Sequence, residues 1–103
     1  MAKQLRFHPL ITDDLTNAID WYEKKSEKVA ERFRAEVDRG FQDIEQSPEM
    51  FSRAFNDTDL RIRRVRRFPY LILYRIAPDF VRILGVFHTA SDPQKWQQRA
   101  VDF

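Results

Sequence analysis

Along the chain, apolar positions recur first at every second residue, then at every third or fourth, then at every second again. Lys3-Gln4-Leu5-Arg6-Phe7-His8 alternates polar and apolar and predicts a short strand closed by Pro9. Leu15, Ala18, Ile19 and Tyr22 follow at helical spacing, which predicts an apolar face on a first helix. Thr12 is the expected N-cap, with Asp13 and Asp14 in the first turn, where carboxylates complement the helix dipole. The polar segment Glu23-Lys24-Lys25-Ser26-Glu27 breaks the pattern, and Ser26 is placed to cap a second helix. That helix carries Ala30, Phe33, Val37, Phe41 and Ile44 on one side and is ended by Ser47-Pro48. Gly40 inside it costs about 1 kcal/mol relative to alanine, which predicts a close backbone approach there. Two amphipathic helices with a short connection form a helical hairpin.

A polar loop, Asn56-Asp57-Thr58-Asp59, then leads into three strand-like runs: Leu60 to Arg67, Tyr70 to Ala77, and Phe80 to His88. The short turn at Pro78-Asp79 makes the last two an antiparallel hairpin. Asp92-Pro93 opens a short terminal helix that contains Trp96. The expected fold class is α+β: an N-terminal strand, a two-helix hairpin, a three-stranded antiparallel sheet and a short C-terminal helix, with the helical pair on one sheet face. No repeat or linker interrupts the order, so residues 1–103 are expected to form one domain.

Composition adds limits. A hydrophobic fraction of 43%, with nine Phe, three Tyr and two Trp, is ample for a core. The absence of cysteine removes disulfides, thiolate metal sites and cysteine nucleophiles, and suits a reducing cytoplasm. No apolar run approaches the roughly 20 residues of a membrane span, and the N-terminus lacks a signal-peptide pattern. A soluble, cytoplasmic protein is expected. The net charge of +2 is small, but Arg61, Arg63, Arg64, Arg66 and Arg67 crowd one stretch, and such a field attracts phosphates or an acidic partner.

In a strand, Arg61 and Arg63 share one face and Arg64 and Arg66 the other. They are either half of a phosphate site or a solvated, partner-facing strand. An unperturbed imidazole titrates near pH 6.5, which makes His88 an acid/base candidate. Its structural reading is a strand-end histidine bonded to backbone that seats the Asp92-Pro93 turn. His8, before Pro9, reads as a link into the first helix. Tyr70, Ile72, Tyr74 and Ile76 form a stripe that is core packing, or in the case of the tyrosines a stacking surface for RNA bases. Trp21 and Tyr22 are expected to wedge the first helix against its neighbours. Asp20, Glu23 and Glu27 make a carboxylate face without histidine or cysteine nearby, so it is read as solvated and paired with Lys24 and Lys28, not as a metal site. Phe51, Phe55 and Phe103 either fold back on the core or are covered by a partner. No metal or cofactor is implied.

Phe7-His8-Pro9, Ala18-Ile19-Asp20-Trp21-Tyr22-Glu23, Ala30-Glu31-Arg32-Phe33, Arg66-Arg67-Phe68-Pro69-Tyr70, Leu71-Ile72-Leu73-Tyr74-Arg75, Ile83-Leu84-Gly85-Val86-Phe87-His88, Asp92-Pro93 and Trp96 stand in an order and spacing that cover nearly the whole chain. Together they resemble the RelE/ParE toxins of bacterial type II toxin–antitoxin systems. The resemblance implies one of two activities. Members like RelE cut messenger RNA in the ribosomal decoding site with basic, tyrosine or histidine side chains on the open sheet face. Members like ParE bind and stall DNA gyrase. It also implies a cognate antitoxin, whose C-terminal segment wraps the toxin and whose N-terminal part contacts operator DNA.

Two departures favour the binding branch. Cleaving relatives commonly have arginine after the tyrosine that opens the next strand, whereas Tyr70 is followed here by Leu71. They also carry basic or acid/base residues after the last strand, where this chain has His88-Thr89-Ala90-Ser91. The expectation is a ParE-like toxin that acts on a target such as DNA gyrase and is neutralised by an acidic or amphipathic antitoxin segment. Arg64, Arg66, Arg67, Tyr70 and Trp96 are the expected contacts to antitoxin or target. The alternative is a ribosome-dependent messenger RNA endonuclease using Arg61, Arg63 and His88. A second alternative is a non-toxic member that only binds the antitoxin.

Overall fold

The computed structural model describes residues 3–55 and 59–101. Asn56, Asp57, Thr58 and Phe103, named above, lie outside the described residues. The elements are β1 (Gln4–Phe7), α1 (Ile11–Glu23), α2 (Glu27–Gln46), a short 3-10 turn (Pro48–Met50), β2 (Leu60–Arg64), β3 (Tyr70–Ile76), β4 (Phe80–His88) and α3 (Pro93–Val101). None of the helices is long and apolar enough to cross a membrane.

β2, β3 and β4 form an antiparallel meander, and β1 joins it parallel to β4, pairing Gln4 with Phe80 through Phe7 with Ile83. The strand order is therefore β1-β4-β3-β2. Both faces of this sheet are covered. Ile72, Tyr74, Ile83 and Val86 meet Phe33, Val37 and Ile44 of α2 and Ala18 of α1 on one side. Leu71, Leu73, Leu84 and Phe87 meet Trp96 and Ala100 of α3 on the other. That double burial explains why β3 reads as an unbroken apolar run from Leu71 to Leu73 and not as an alternation.

The helix caps differ in how they are built. Ser26 caps α2 as expected, its hydroxyl accepting the Val29 N–H. Thr12 does not cap α1. The helix already starts at Ile11, because the His8-Pro9 turn supplies the entry: His8 Nδ1 accepts the Leu10 N–H at 3.0 Å, and the His8 carbonyl accepts that of Ile11. Buried His8 also donates its N–H to the Ile83 carbonyl at 2.9 Å, which confirms it as the link from β1 into α1. Gly40 holds the close approach expected of it. A Cβ there would sit 2.6 Å from Ile72 Cδ1, so its absence lets α2 lie down on β3.

Tyr22 wedges α1 against Phe33, Phe68 and Tyr70, but Trp21 does not share that role. One residue along a helix rotates about 100°, so Trp21 leaves the buried stripe; it is 57% exposed, with the Lys25 ammonium over its ring. Phe51 and Phe55 are half-buried and fold back on the chain's own two clusters. The first arginine-bearing strand ends at Arg64, short of the expected Arg67. Val65 already bonds back to the Tyr70 carbonyl, and Arg67 has a φ of 70°, which is incompatible with an extended strand. Arg66 accordingly sits in a turn and does not continue the alternation with Arg64.

Tyr74 is fully buried and donates its hydroxyl proton to the Pro48 carbonyl at 2.5 Å, tying β3 to the turn after α2. Burial pushes its pKa up from 10.0 to about 12, with the Arg61 guanidinium pulling slightly the other way. The folded protein thus keeps this proton over a pH range in which the unfolded chain has lost it. Stability from Tyr74 should be intact below pH 10 and fall as pH rises from 10 toward 12. Urea titrations across that range should show the fall, and Tyr74→Phe should make it shallower while costing about 1–3 kcal/mol at neutral pH through the orphaned carbonyl.

β1 stops at Phe7, so the edge of β4 beyond Ile83 has no strand beside it. A side-chain pair closes that edge. Asp14 of α1 accepts the Val86 N–H at 3.1 Å, Arg99 of α3 donates to the Leu84 carbonyl at 3.0 Å, and the two join through contacts of 2.8 and 3.1 Å. Both side chains are nearly buried, and the guanidinium also lies over the Phe87 ring. Gly85 makes the space, because a Cβ there would overlap that ring and crowd Arg99. The register slips beside it: Leu73 pairs with Gly85 but Tyr74 with Ile83, leaving Leu84 as the extra residue of a bulge. Asp14→Asn should destabilise the fold by about 3–5 kcal/mol in chemical denaturation, since it leaves a buried guanidinium without its counter-charge. Adding Arg99→Met should recover much of the loss.

Candidate functional site

The five clustered arginines have three different fates. Arg61 and Arg63 turn toward α2 and the segment after it. Arg61 Nη1 donates to the carbonyls of Phe51 at 2.7 Å and Glu49 at 3.2 Å. Arg63 Nη2 meets Asp43 of α2 at 2.7 Å, its Nη1 donates to the Arg64 carbonyl, and its guanidinium stands over the Phe51 ring. Only 13% of the Arg63 side chain is exposed. Both residues thus fasten the loop after α2 to the sheet. Arg64 points to solvent at the end of β2, and Arg66 and Arg67 are exposed in the following turn.

β2 is an edge strand, and its outer side is partly covered. The Ile62 N–H bonds to the Ser52 carbonyl at 3.0 Å and the Ala54 N–H to the Leu60 carbonyl at 2.8 Å, with Arg53 bridging to Arg61. Beyond that short cover opens a groove of about 760 Å³, between the end of α2 and the sheet edge. Met50, Phe51, Arg53, Ile62, Arg64 and Asp43 line it. Met50 is 77% exposed, the large apolar side chain that its rim presents to solvent. Met50 and Arg53 are not legible as site residues from sequence, because a loop of mixed composition carries no periodicity from which a direction can be read.

His88 ends β4 opposite Tyr70, their rings meeting edge-on at 5.1 Å. Its Nδ1 accepts the Ala90 N–H at 3.0 Å, which places the ring proton on Nε2. The His88 carbonyl accepts the Ser91 hydroxyl at 2.6 Å, and that oxygen in turn accepts Trp96 Nε1–H at 2.9 Å. His88 therefore seats the turn into α3, where Gln94 N–H is capped by Asp92. Arg63 lies opposite Ile72, which lies opposite Val86, two residues short of His88. From strand spacing, the Arg63 and His88 backbones are roughly 12 Å apart. With Arg61 and Arg63 held toward α2, the three do not converge on one reacting atom.

Tyr70 is half-buried against Phe33 and Tyr22, and burial raises its pKa. Tyr22 is raised for the same reason, with the nearby Tyr70 adding to it. The tyrosine stripe is therefore packing, with only the Tyr70 edge near His88 reaching the surface. Trp96 is buried and stacked on Phe87 at 6.3 Å. Asp20, Glu23 and Glu27 are exposed, and Glu23 pairs with Arg34 across the helical hairpin at 3.0 Å instead of with the expected lysines. No cluster of three or more potential metal ligands exists among the described residues.

The chain matches the family model of the ParE toxin of the type II toxin–antitoxin system, parDE, over residues 5–93. It is 29% identical over 94 residues to Toxin ParE2 of Mycobacterium tuberculosis, covering 90% of this chain and 88% of that protein. Among solved structures it is similar to the chromosomal ParDE system from P. aeruginosa, with a TM-score of 0.73, 16% identity, and coverage of 84% of this chain and 96% of the other. It also resembles the RelBE2 toxin–antitoxin complex of Mycobacterium tuberculosis, with a TM-score of 0.56, 24% identity, and coverage of 85% and 99%. At those identities the two structures speak for the fold, and the family rests on the sequence match that spans β1 to the start of α3. The chain belongs to the ParE toxin family of type II toxin–antitoxin systems.

Proposed function

We propose that this protein inhibits growth by binding DNA gyrase, without chemistry of its own, and that a cognate antitoxin neutralises it. The observation that carries the reading is the fate of Arg61 and Arg63. A ribonuclease needs cations free to meet a pentavalent phosphate, together with a base and an acid. Here both guanidiniums are held by backbone carbonyls and Asp43, on another part of the sheet from His88. The family match supports the ParE branch, and the two similar solved structures are of toxin–antitoxin systems, which supports an antitoxin partner.

The groove beside β2 is the surface we assign to that antitoxin. Exposed Met50 offers an apolar anchor, and Arg53 and Arg64 offer charge to an acidic segment. Arg63 is too enclosed to be a main contact, which leaves Arg64 as the strand's contribution.

Purified toxin should inhibit supercoiling of plasmid by gyrase, and messenger RNA incubated with it and ribosomes should stay intact. His88→Ala should leave growth inhibition within about twofold of wild type. Message cut only in the presence of ribosomes, with His88→Ala inactive, would instead assign the cleaving branch. Expression without antitoxin that leaves growth unharmed would assign a purely regulatory member. Antitoxin affinity should fall steeply with salt, and Arg53→Gln with Arg64→Gln should weaken it about tenfold or more. An affinity insensitive to both would place the antitoxin elsewhere.

A further inference from the structure

A second basic surface lies away from that groove, on the outward side of α2. Lys28, Arg32 and Arg39 are exposed and fall within roughly 40° of one another on the helical wheel. Along the axis they span about 16 Å. Arg66 and Arg67, at the β2–β3 turn, project beside them, and Arg32, Arg39, Arg66 and Arg67 share one shallow groove of about 540 Å³. The left-handed backbone of Arg67, with φ of 70°, turns the chain there, a conformation uncommon outside glycine. The acidic residues of α2 flank this row. Glu27, Glu31 and Asp38 lie some 60–100° around the helix from Lys28. Glu36 is the one carboxylate in the groove, and its contact with Arg39 is long, at 3.8 Å. Arg32, Arg66 and Arg67 have no ion pair among the described residues.

We propose that this ridge binds the phosphate backbone of duplex DNA. Arginine forks match phosphate oxygens, and a straight row about 16 Å long spans about five steps of one strand's 3.4 Å rise. A single strand would be expected to stack its bases on exposed rings, yet the aromatic of this groove, Phe68, is turned into the core against Tyr22 and Phe33. The choice of DNA over RNA rests on the gyrase reading, since gyrase is met on DNA. Contact along the ridge would carry no sequence preference.

The test is fluorescence anisotropy of a short labelled DNA duplex with the purified toxin, gyrase absent, between about 50 and 200 mM salt. Duplex RNA, single-stranded DNA and polyglutamate serve as competitors. Wild-type binding should weaken steeply with salt and be competed least by polyglutamate. Arg32→Gln, Arg66→Gln and Arg67→Asn together should lower the slope of log affinity against log salt by about 2–3. Asparagine tolerates the left-handed turn. Arg32→Gln with Arg39→Gln, which leaves the turn untouched, should lower it by about 2. The pair Arg53→Gln and Arg64→Gln should leave it unchanged. Equal slopes in wild type and both ridge variants would overturn the proposal, as would tighter binding of polyglutamate or of duplex RNA. Gyrase inhibition without duplex binding would remove the ridge and keep the gyrase target. Duplex binding without gyrase inhibition would do the reverse.

Discussion

The architecture hangs on how one exposed strand edge is closed. β1 protects β4 only as far as Ile83, and the next carbonyl and amide along that edge are taken by Arg99 and Asp14. These two side chains come from helices on opposite faces of the sheet, so the ion pair runs around the edge like a clasp. It fixes the entry of α1, the seat of α3 and the end of the β1–β4 ladder at once. A buried pair of this kind contributes little by itself, because desolvation offsets much of the Coulomb attraction. Its effect is to specify one arrangement of the two layers, since losing either member leaves a charge and a backbone group without partners.

Much of this was legible from periodicity. The helical hairpin, the meander, the Ser26 cap, the close approach at Gly40 and the turn after His88 all follow from local patterns whose partners lie a few residues away or across one tight turn. What escaped was non-local. Nothing in Asp14 or Arg99 taken singly marks them as a pair 85 residues apart. Thr12 was a sound cap on local grounds, but His8 had already turned the chain and satisfied the first amide. Trp21 lies next to a buried residue, and only the rotation of the helix decides that it faces water. The arginine stretch looked uniform because composition does not record where a strand ends. The end of β2 at Arg64 and the left-handed turn at Arg67 divide it into fastening, groove-lining and turn-borne groups.

That division separates the tasks of a small surface. Arginines nearest the sheet centre are enclosed and hold the loop after α2 in place, while those at the strand end and the turn remain available. A chain of 103 residues has few surface side chains to divide between separate surfaces. On the assignments proposed above, a partner seated at Arg53 and Arg64 stands apart from the ridge on α2, so either surface can be altered without disturbing the other.

The parallel pairing of β1 with β4 also has a meaning in time. Gln4 must wait for Phe80, which is 76 positions later, before its strand has a neighbour. At about 5–20 residues per second, that is roughly 4–15 s of synthesis during which the first strand is made but cannot be placed. The clasp closes later still, when Arg99 emerges. A ribosome that has made the helical hairpin therefore holds an unfinished sheet, and any surface that depends on the finished sheet comes into being only after β4 and α3 have emerged.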